Sequence, residues 1–318
     1  MTTDPTETHS SRILVTGAAG LIGSAVTRLL AARGHRVIAC DDFSIGTWRD
    51  TPEHVVWERF DVAGPAAIEC LARHEPDVVV HGAAHPGGRS LEEPSENVRV
   101  NTVGAMQIFD WCARSGTPVV YLSSSAVYGE QPSSPICETA SLRPGTIYAV
   151  CKAACEGFLR TLEAAHGLRW TVLRLFATYG AGHRPGTHQG IVNVMLTQLL
   201  ANSTPLVVRG SLSRVRDLLY VDDAAEAVAA CALASDRRGR VLNVGTGRGL
   251  TVRYLIEALC NALGRAASDV MIVEEPGTPG DPLYSVADIN ALRTAIDFEP
   301  HVPLEDGLAR LVAARRGH

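Results

Sequence analysis

The segment Thr16-Gly17-Ala18-Ala19-Gly20-Leu21-Ile22-Gly23 constrains this chain more than any other stretch. It follows the β-branched run RILVT (12–16) and opens an apolar periodic segment that predicts a helix over 21–33. A pyrophosphate rests on a helix N-terminus only where the backbone comes close. Glycine is therefore needed in the turn and where helix meets strand. Gly17, Gly20 and Gly23 supply that period, with Leu21 and Ile22 opening the helix, so the first βαβ unit reads as a dinucleotide cradle.

The same alternation continues along the chain. Strands are predicted at 36–40, 55–62, 77–82, 117–124 and 169–176, with helices near 65–74, 96–115 and 146–166. Short strands separated by longer helices imply parallel strands with crossover helices, hence a doubly wound α/β sheet. After Phe176 the rhythm changes: 177–190, rich in Gly and His, reads as a loop leaving the main sheet. The runs 216–233 and 240–247 read as a return to the core, with Asp222 or Asp223 capping the helix between them. This gives a nucleotide-binding domain from residues 12–176 plus 216–247 and a smaller, discontinuous C-terminal lobe from 177–215 plus 248–318. The lobe is expected over the carboxyl ends of the strands, where open α/β sheets bind ligands. Residues 1–11 read as a disordered tail.

A formal charge of −5 with 46% apolar residues argues against a nucleic-acid-coating protein and against a disordered chain. No apolar run approaches the ~20 residues of a membrane helix and the N-terminus carries no signal segment, so a cytoplasmic location is expected. The eight cysteines lack disulfide-framework or zinc spacing and read as free, mostly buried thiols. His81, His85, His183 and His188 form no metal spacing either, and no metal is expected.

Asp41 closes the second strand 18 residues after Gly23. That is near the ~20 at which an acidic side chain accepts from adenosine ribose hydroxyls, and a carboxylate there repels a 2′-phosphate. NAD is expected rather than NADP. Ser124 ends a predicted strand, while Tyr148 and Lys152 stand one turn apart on one face of a predicted helix. A free phenol titrates near ~10, so a tyrosine base at neutral pH needs a depression of roughly 3 units, about 4 kcal/mol. An adjacent ammonium together with the nicotinamide charge is the expected source. Cys151 and Cys155 read as packing residues, and Tyr128 as structural.

With TGAAGLIG, DDFSIGT, FDV (60–62), HGAAH (81–85), VRVNTVGAM, SSSAVYGE, YAVCK, LRLFATYG (173–180), RDLLYVDD (216–223) and LNVGTG (242–247) in this order, the chain resembles the extended short-chain dehydrogenases/reductases. Within them it resembles the NAD-dependent sugar-nucleotide epimerase/dehydratase group, over residues 12 to 300. The resemblance implies a Rossmann fold with a substrate lobe, Ser124 on the reacting sugar oxygen, Tyr148 as acid/base and Lys152 on the nicotinamide ribose. It implies a cofactor site of the glycine turn with Asp41, Asp42, Phe43 and Ser44, of Asp61 and Val62 by the adenine, and of Gly82, Ala83, Ala84, Asn101 and Phe176. It further implies a homodimer through a four-helix bundle of the helices near 96–115 and 146–166.

In this group the dehydratases use an Asp-Glu pair directly after the Ser/Thr position, where this chain has Ser125 and Ala126. Epimerisation of a nucleotide-linked sugar at C4 through a keto intermediate is the reading favoured. A dehydrogenase, ketoreductase or dehydratase on a modified sugar nucleotide, and a non-catalytic dinucleotide sensor, are the alternatives. Two departures fall on the substrate side: Ala177 replaces the usual Asn of R-x-F-N-x-Y-G, and Thr278 replaces the Arg of R-x-G-D. Arg216 remains at the other phosphate-contacting position, with Arg184 or Arg214 as candidate replacements for the lost cation. The loop HPGGRSLEEP (85–94) is glycine-rich, and His85 is expected to face the substrate.

Overall fold

The computed structural model describes residues 10–47, 52–131, 135–182, 190–236 and 239–316. Its first half is β1 (Arg12–Thr16), α1 (Leu21–Ala32), β2 (Arg36–Asp41), β3 (Val55–Arg59), α2 (Ala66–His74) and β4 (Val78–His81). There follow α3 (Pro94–Val98), α4 (Ala105–Ser115), β5 (Val119–Ser124), α5 (Ile147–His166) and β6 (Trp170–Leu175). The helix expected near 96–115 is thus two α segments joined through a wider, π-helical stretch at Arg99–Gly104. The second half holds β7 (Ala177–Tyr179), α6 (Ile191–Leu200), β8 (Leu206–Arg209), β9 (Val215–Tyr220), α7 (Val221–Leu233) and β10 (Arg240–Val244). It ends with β11 (Gly249–Thr251), α8 (Val252–Leu263), β12 (Ile272–Glu275), β13 (Tyr284–Ser285), α9 (Asn290–Ile296) and α10 (Leu304–Arg316).

Seven strands form one parallel sheet in the order β10-β6-β5-β4-β1-β2-β3. Strand alternation sends Ile13 and Val15 into one core with α1, α7 and α8, and Leu14 into the other with α2, α4 and α5. A fully covered sheet needs apolar side chains on both faces, and ILV in β1 or VVV in β4 meets that need. The order reverses between β1 and β4, so their carboxyl ends splay into a crevice. Gly17 turns there with φ +73°, and a Cβ on it would lie 2.7 Å from the Ala83 nitrogen. Only glycine brings the first turn so close to the end of β4.

Three sequence expectations are corrected. The stretch 177–190 is not wholly loop: β7 pairs in parallel with β9, while 183–189 lie outside the described residues. Three residues are too short a run to show an alternation. β9 does not rejoin the large sheet but stands beside β11 and β13 in a small one, whereas β10 extends the large sheet next to β6. Neither Asp222 nor Asp223 caps α7, whose cap is Tyr220 with no side-chain bond. Both acids sit in the first turn, where they favour the positive helix end. The buried Asp223 carboxylate accepts instead from the backbone N–H groups of His301 (3.3 Å) and Val302 (3.1 Å), clipping the C-terminal segment down. Of the expected tail, residues 1–9 lie outside the described part, and Ser11 is tied to His35 and Arg36.

A buried ion pair anchors α5. The Glu156 carboxylate accepts from Arg174 Nε (3.0 Å), Arg174 Nη2 (2.6 Å) and the Ser123 hydroxyl (2.7 Å). Arg174 also donates to Tyr128 Oη (2.8 Å), which donates to Asn243 Oδ1 (2.6 Å). Removing one partner strands a buried charge, so Arg174→Met should destabilise by about 3–5 kcal/mol in urea unfolding. A loss below ~1 kcal/mol would mean that α5 is held by its apolar contacts alone.

Candidate active site

Two adjoining cavities open at the carboxyl ends of the large sheet. One, of about 250 Å³, is bordered by Asp41, Asp42, Ser44, Asp61, Val62, Ala83 and His85. The other, of about 440 Å³, is bordered by Leu21, Ile22, Gly23, Ser124, Tyr148, Lys152, Phe176 and Ala177. Gly17, Gly20, Gly82 and Ala84 wall both. α1 starts here at Gly20 with no side-chain cap and no acid in its first turn, so its amide dipoles are left for an anion. Asp41 is held by the Ala19 (2.9 Å) and Phe43 (2.8 Å) amides, and burial raises its pKa. An uncapped helix end beside a fixed carboxylate suits a pyrophosphate followed by a ribose.

Some expected cofactor residues contribute indirectly. The Phe43 ring packs 5.4 Å from Trp57, leaving its amide on Asp41. Asp61 is engaged by Arg99 (2.6 Å) and the Ala63 amide (2.9 Å). Asn101 is buried outside both walls, where it accepts from the His85 amide (2.7 Å) and donates to the His85 carbonyl (3.0 Å). Within the π-helical stretch, the Asn101 carbonyl accepts from the Cys155 thiol (3.0 Å). His85 does not border the catalytic cavity: its ring bonds Glu93 (2.7 Å) and Asn97 (3.1 Å). The neighbouring Gly87 packs on the Tyr148 ring, where a Cβ would come to 3.1 Å.

The catalytic trio expected from sequence is brought together. Ser124 ends β5, its Oγ accepting from the Ala126 amide (3.2 Å). Thr146 caps α5 by accepting from the Ala149 amide (3.1 Å), which fixes the turn carrying Tyr148. The Ser124 hydroxyl neighbours the Tyr148 phenol and favours its ionised form. Lys152 Nζ donates to the Leu122 carbonyl (2.7 Å) and lies 4.7 Å from the centroid of the Tyr121 ring and 5.7 Å from that of Tyr148.

Of the two expected sources of a lower phenol pKa, the ammonium and the nicotinamide charge, the chain alone holds only the first. Burial pushes the Tyr148 phenol up to about 12, offset in part by Ser124, and pushes Lys152 down to about 8. In the chain alone burial is the largest influence on the phenol. Burial likewise lowers His81 to about 3, a neutral ring stacked on Tyr121 and bonded to Thr16 Oγ1 (2.8 Å). Sequence reasoning missed Tyr179, Ile191 and Asn193 in the cavity wall. They meet only in the fold, because strands and helices far apart in sequence assemble them.

On the substrate side, Asp281 clamps both Arg214 and Arg216 (2.7 Å to Arg216). Arg216 also donates to the Val215 (2.8 Å) and Pro282 (2.7 Å) carbonyls. Thr278 is exposed, Ala177 offers no amide to the cavity, and Arg184 lies outside the described residues.

A family model described as "NAD dependent epimerase/dehydratase family" matches residues 13–245. This chain belongs to that family. The UDP-glucose 4-epimerase of Azospirillum brasilense is 32% identical, with 95% of this chain and 90% of that protein covered. Among solved structures, the Thermus thermophilus UDP-glucose 4-epimerase with NAD is 32% identical at a TM-score of 0.88, covering 96% of this chain and 99% of that one. The Methanobrevibacter ruminantium UDP-N-acetylglucosamine 4-epimerase, in complex with UDP-N-acetylmuramic acid, is 28% identical at a TM-score of 0.88, covering 97% and 99%. The family is NAD dependent, and the uncapped α1 and fixed Asp41 fit that cofactor.

The depressed Lys152 gives a sign-specific test. Its folded pKa of about 8 lies below the ordinary 10.5, so between these values the unfolded chain holds the extra proton and stability rises with pH. In urea melts, the unfolding free energy of the wild type minus that of Lys152→Met should climb by up to about 3 kcal/mol across that window. A flat difference would place Lys152 in a wetter site.

Proposed function

We propose that this protein is an NAD-dependent 4-epimerase of a nucleotide-linked sugar. The observation that carries the reading is the convergence of Ser124, Tyr148 and Lys152 on a cavity sharing its glycine walls with the nucleotide cradle. NAD, when bound, supplies the hydride acceptor and a positive charge in the oxidised ring. Tyr148 Oη takes the proton of the reacting sugar hydroxyl and returns it after the keto-sugar has turned over. Ser124 Oγ holds that sugar oxygen, and Lys152 orients the nicotinamide ribose. Because burial alone leaves the phenol near about 12, its ionisation waits for the added positive charge, which ties proton removal to a loaded site. Ser125 and Ala126 offer no carboxylate to expel water, so the keto-sugar keeps its substituents.

Tyr148→Phe should cut turnover by roughly 10²–10⁴ while leaving NAD affinity nearly unchanged. The wild type should invert a sugar nucleotide, followed by NMR, without added NAD and without steady absorbance change. A steady NADH signal would make it a dehydrogenase, and unchanged turnover in Tyr148→Phe would dismiss the trio.

For the diphosphate, Arg214 is read as the replacement for the cation missing at 278, since it reaches Asp281 of the same GTPGD segment. A charge-assisted bond contributes roughly 1.5–3 kcal/mol, so Arg214→Gln should raise KM at least about tenfold with kcat little changed. An unchanged KM would leave Arg214 as a clamp of that loop only. The exposed Val98, Val103 and Val150 on α3, the π-helical stretch and α5 support pairing with a second copy through these helices. The eight free cysteines support a reducing, cytoplasmic setting.

A further inference from the structure

A second cluster of reactive side chains lies away from the catalytic trio, where α2 covers the β2–β3 edge. Cys70 and His74 stand one turn apart on α2, on the face turned to the sheet. Glu58 reaches them from β3, and one donor atom from each of the three lies within 4.8 Å of the others. Cys40 of β2 is the register partner of Glu58, so both side chains project to the same sheet face, and the Cys40 thiol, which points to the Ile38 carbonyl at 3.7 Å, neighbours that of Cys70. Two sulfurs, an imidazole and a carboxylate therefore converge from three elements. Sequence spacing hid this set, because only Cys70 and His74 are near neighbours.

We propose that Cys40, Glu58, Cys70 and His74 form a site for one zinc-class divalent cation that clips α2 to the edge of the sheet. The donor set decides the class: thiolate, imidazole and carboxylate suit a tetrahedral d¹⁰ ion and not magnesium or calcium. Zinc bonds of about 2.0–2.3 Å put tetrahedral donors about 3.3–3.8 Å apart, so Glu58, Cys70 and His74 close by roughly 1–1.5 Å, and Cys40, which stands outside that close triplet, moves in as the fourth donor. Binding releases the two thiol protons to solvent and replaces the present His74–Glu58 hydrogen bond (2.7 Å). Arg73, bonded to Glu58 (3.0 Å) and largely exposed, stays to offset the anionic charge of the ligand set. His74 and Glu58 keep 12% and 24% of their side chains exposed, which gives the ion a way in past two buried sulfurs. Cys40 precedes Asp41, and Glu58 stands three residues before Asp61, so the ion would stiffen the two loops that border the nucleotide-side cavity.

The test uses the full chain, stripped with a chelator and titrated with Co²⁺ and then Zn²⁺. One equivalent of Co²⁺ should give tetrahedral d–d bands and a thiolate charge-transfer absorption, both displaced by one equivalent of Zn²⁺. Cys137 is the exposed thiol, so Cys137→Ser should keep the spectrum, and Cys70→Ser should abolish it. Glu58→Gln, at a partly exposed position that threatens folding less, and His74→Gln should each weaken binding at least about tenfold. Absence of the charge-transfer band in the wild type, its survival in Cys70→Ser, its loss in Cys137→Ser, or unchanged affinity in Glu58→Gln would each overturn the site.

Discussion

One face of α5 carries Tyr148, Lys152 and Glu156 at successive turns, and the Glu156–Arg174 ion pair holds that face on the sheet. Both charges are almost wholly buried, and the guanidinium fork meets the carboxylate through two bonds. An apolar pair would fill the space at similar or lower cost, but it would not fix the rotation of the helix as a bidentate pair does. Everything at the catalytic end inherits this orientation. Lys152 meets the Leu122 carbonyl, and Tyr148 comes to the end of β5 where Ser124 turns away.

Burial around the trio sets its chemistry: Lys152 is buried and Tyr148 partly so at the cavity wall. Both ionisable groups are driven toward their neutral forms, the phenol upward and the ammonium downward. An exposed Tyr-Lys pair would titrate independently of what is bound. Here the low-dielectric surroundings magnify any charge brought in with the cofactor. On the proposed reading, the base is thus latent in the chain and develops only in a loaded site.

Much of this was legible from sequence, for identifiable reasons. The glycine turn, Asp41 and the Tyr148/Lys152 pair are local patterns whose spacing is itself the function. The parallel sheet followed from the alternation of short β-branched runs with longer helices, through β6. What failed was non-local. β7 is too short to show a period, and the placement of β9 depends on pairing with β7, β11 and β13 rather than on its own residues. Asp223 obeyed a tertiary clip to 301–302 instead of a helix cap. The rise of the Tyr148 phenol in the chain alone was not legible, because a pair spacing says which groups are near, not how strongly burial opposes their charges. His85 failed likewise: its strand-end position was right, but Asn97 and Glu93 claim its ring.

The central claim is that hydride leaves and returns to one sugar carbon inside a site that keeps its cofactor. A substrate bearing deuterium at the reacting carbon, turned over in the presence of excess unlabelled NAD, measures this directly. The account predicts that the inverted product retains the deuterium at that carbon and that the free cofactor pool stays unlabelled. Deuterium appearing in free NADH, or replaced by solvent hydrogen in the product, would contradict it.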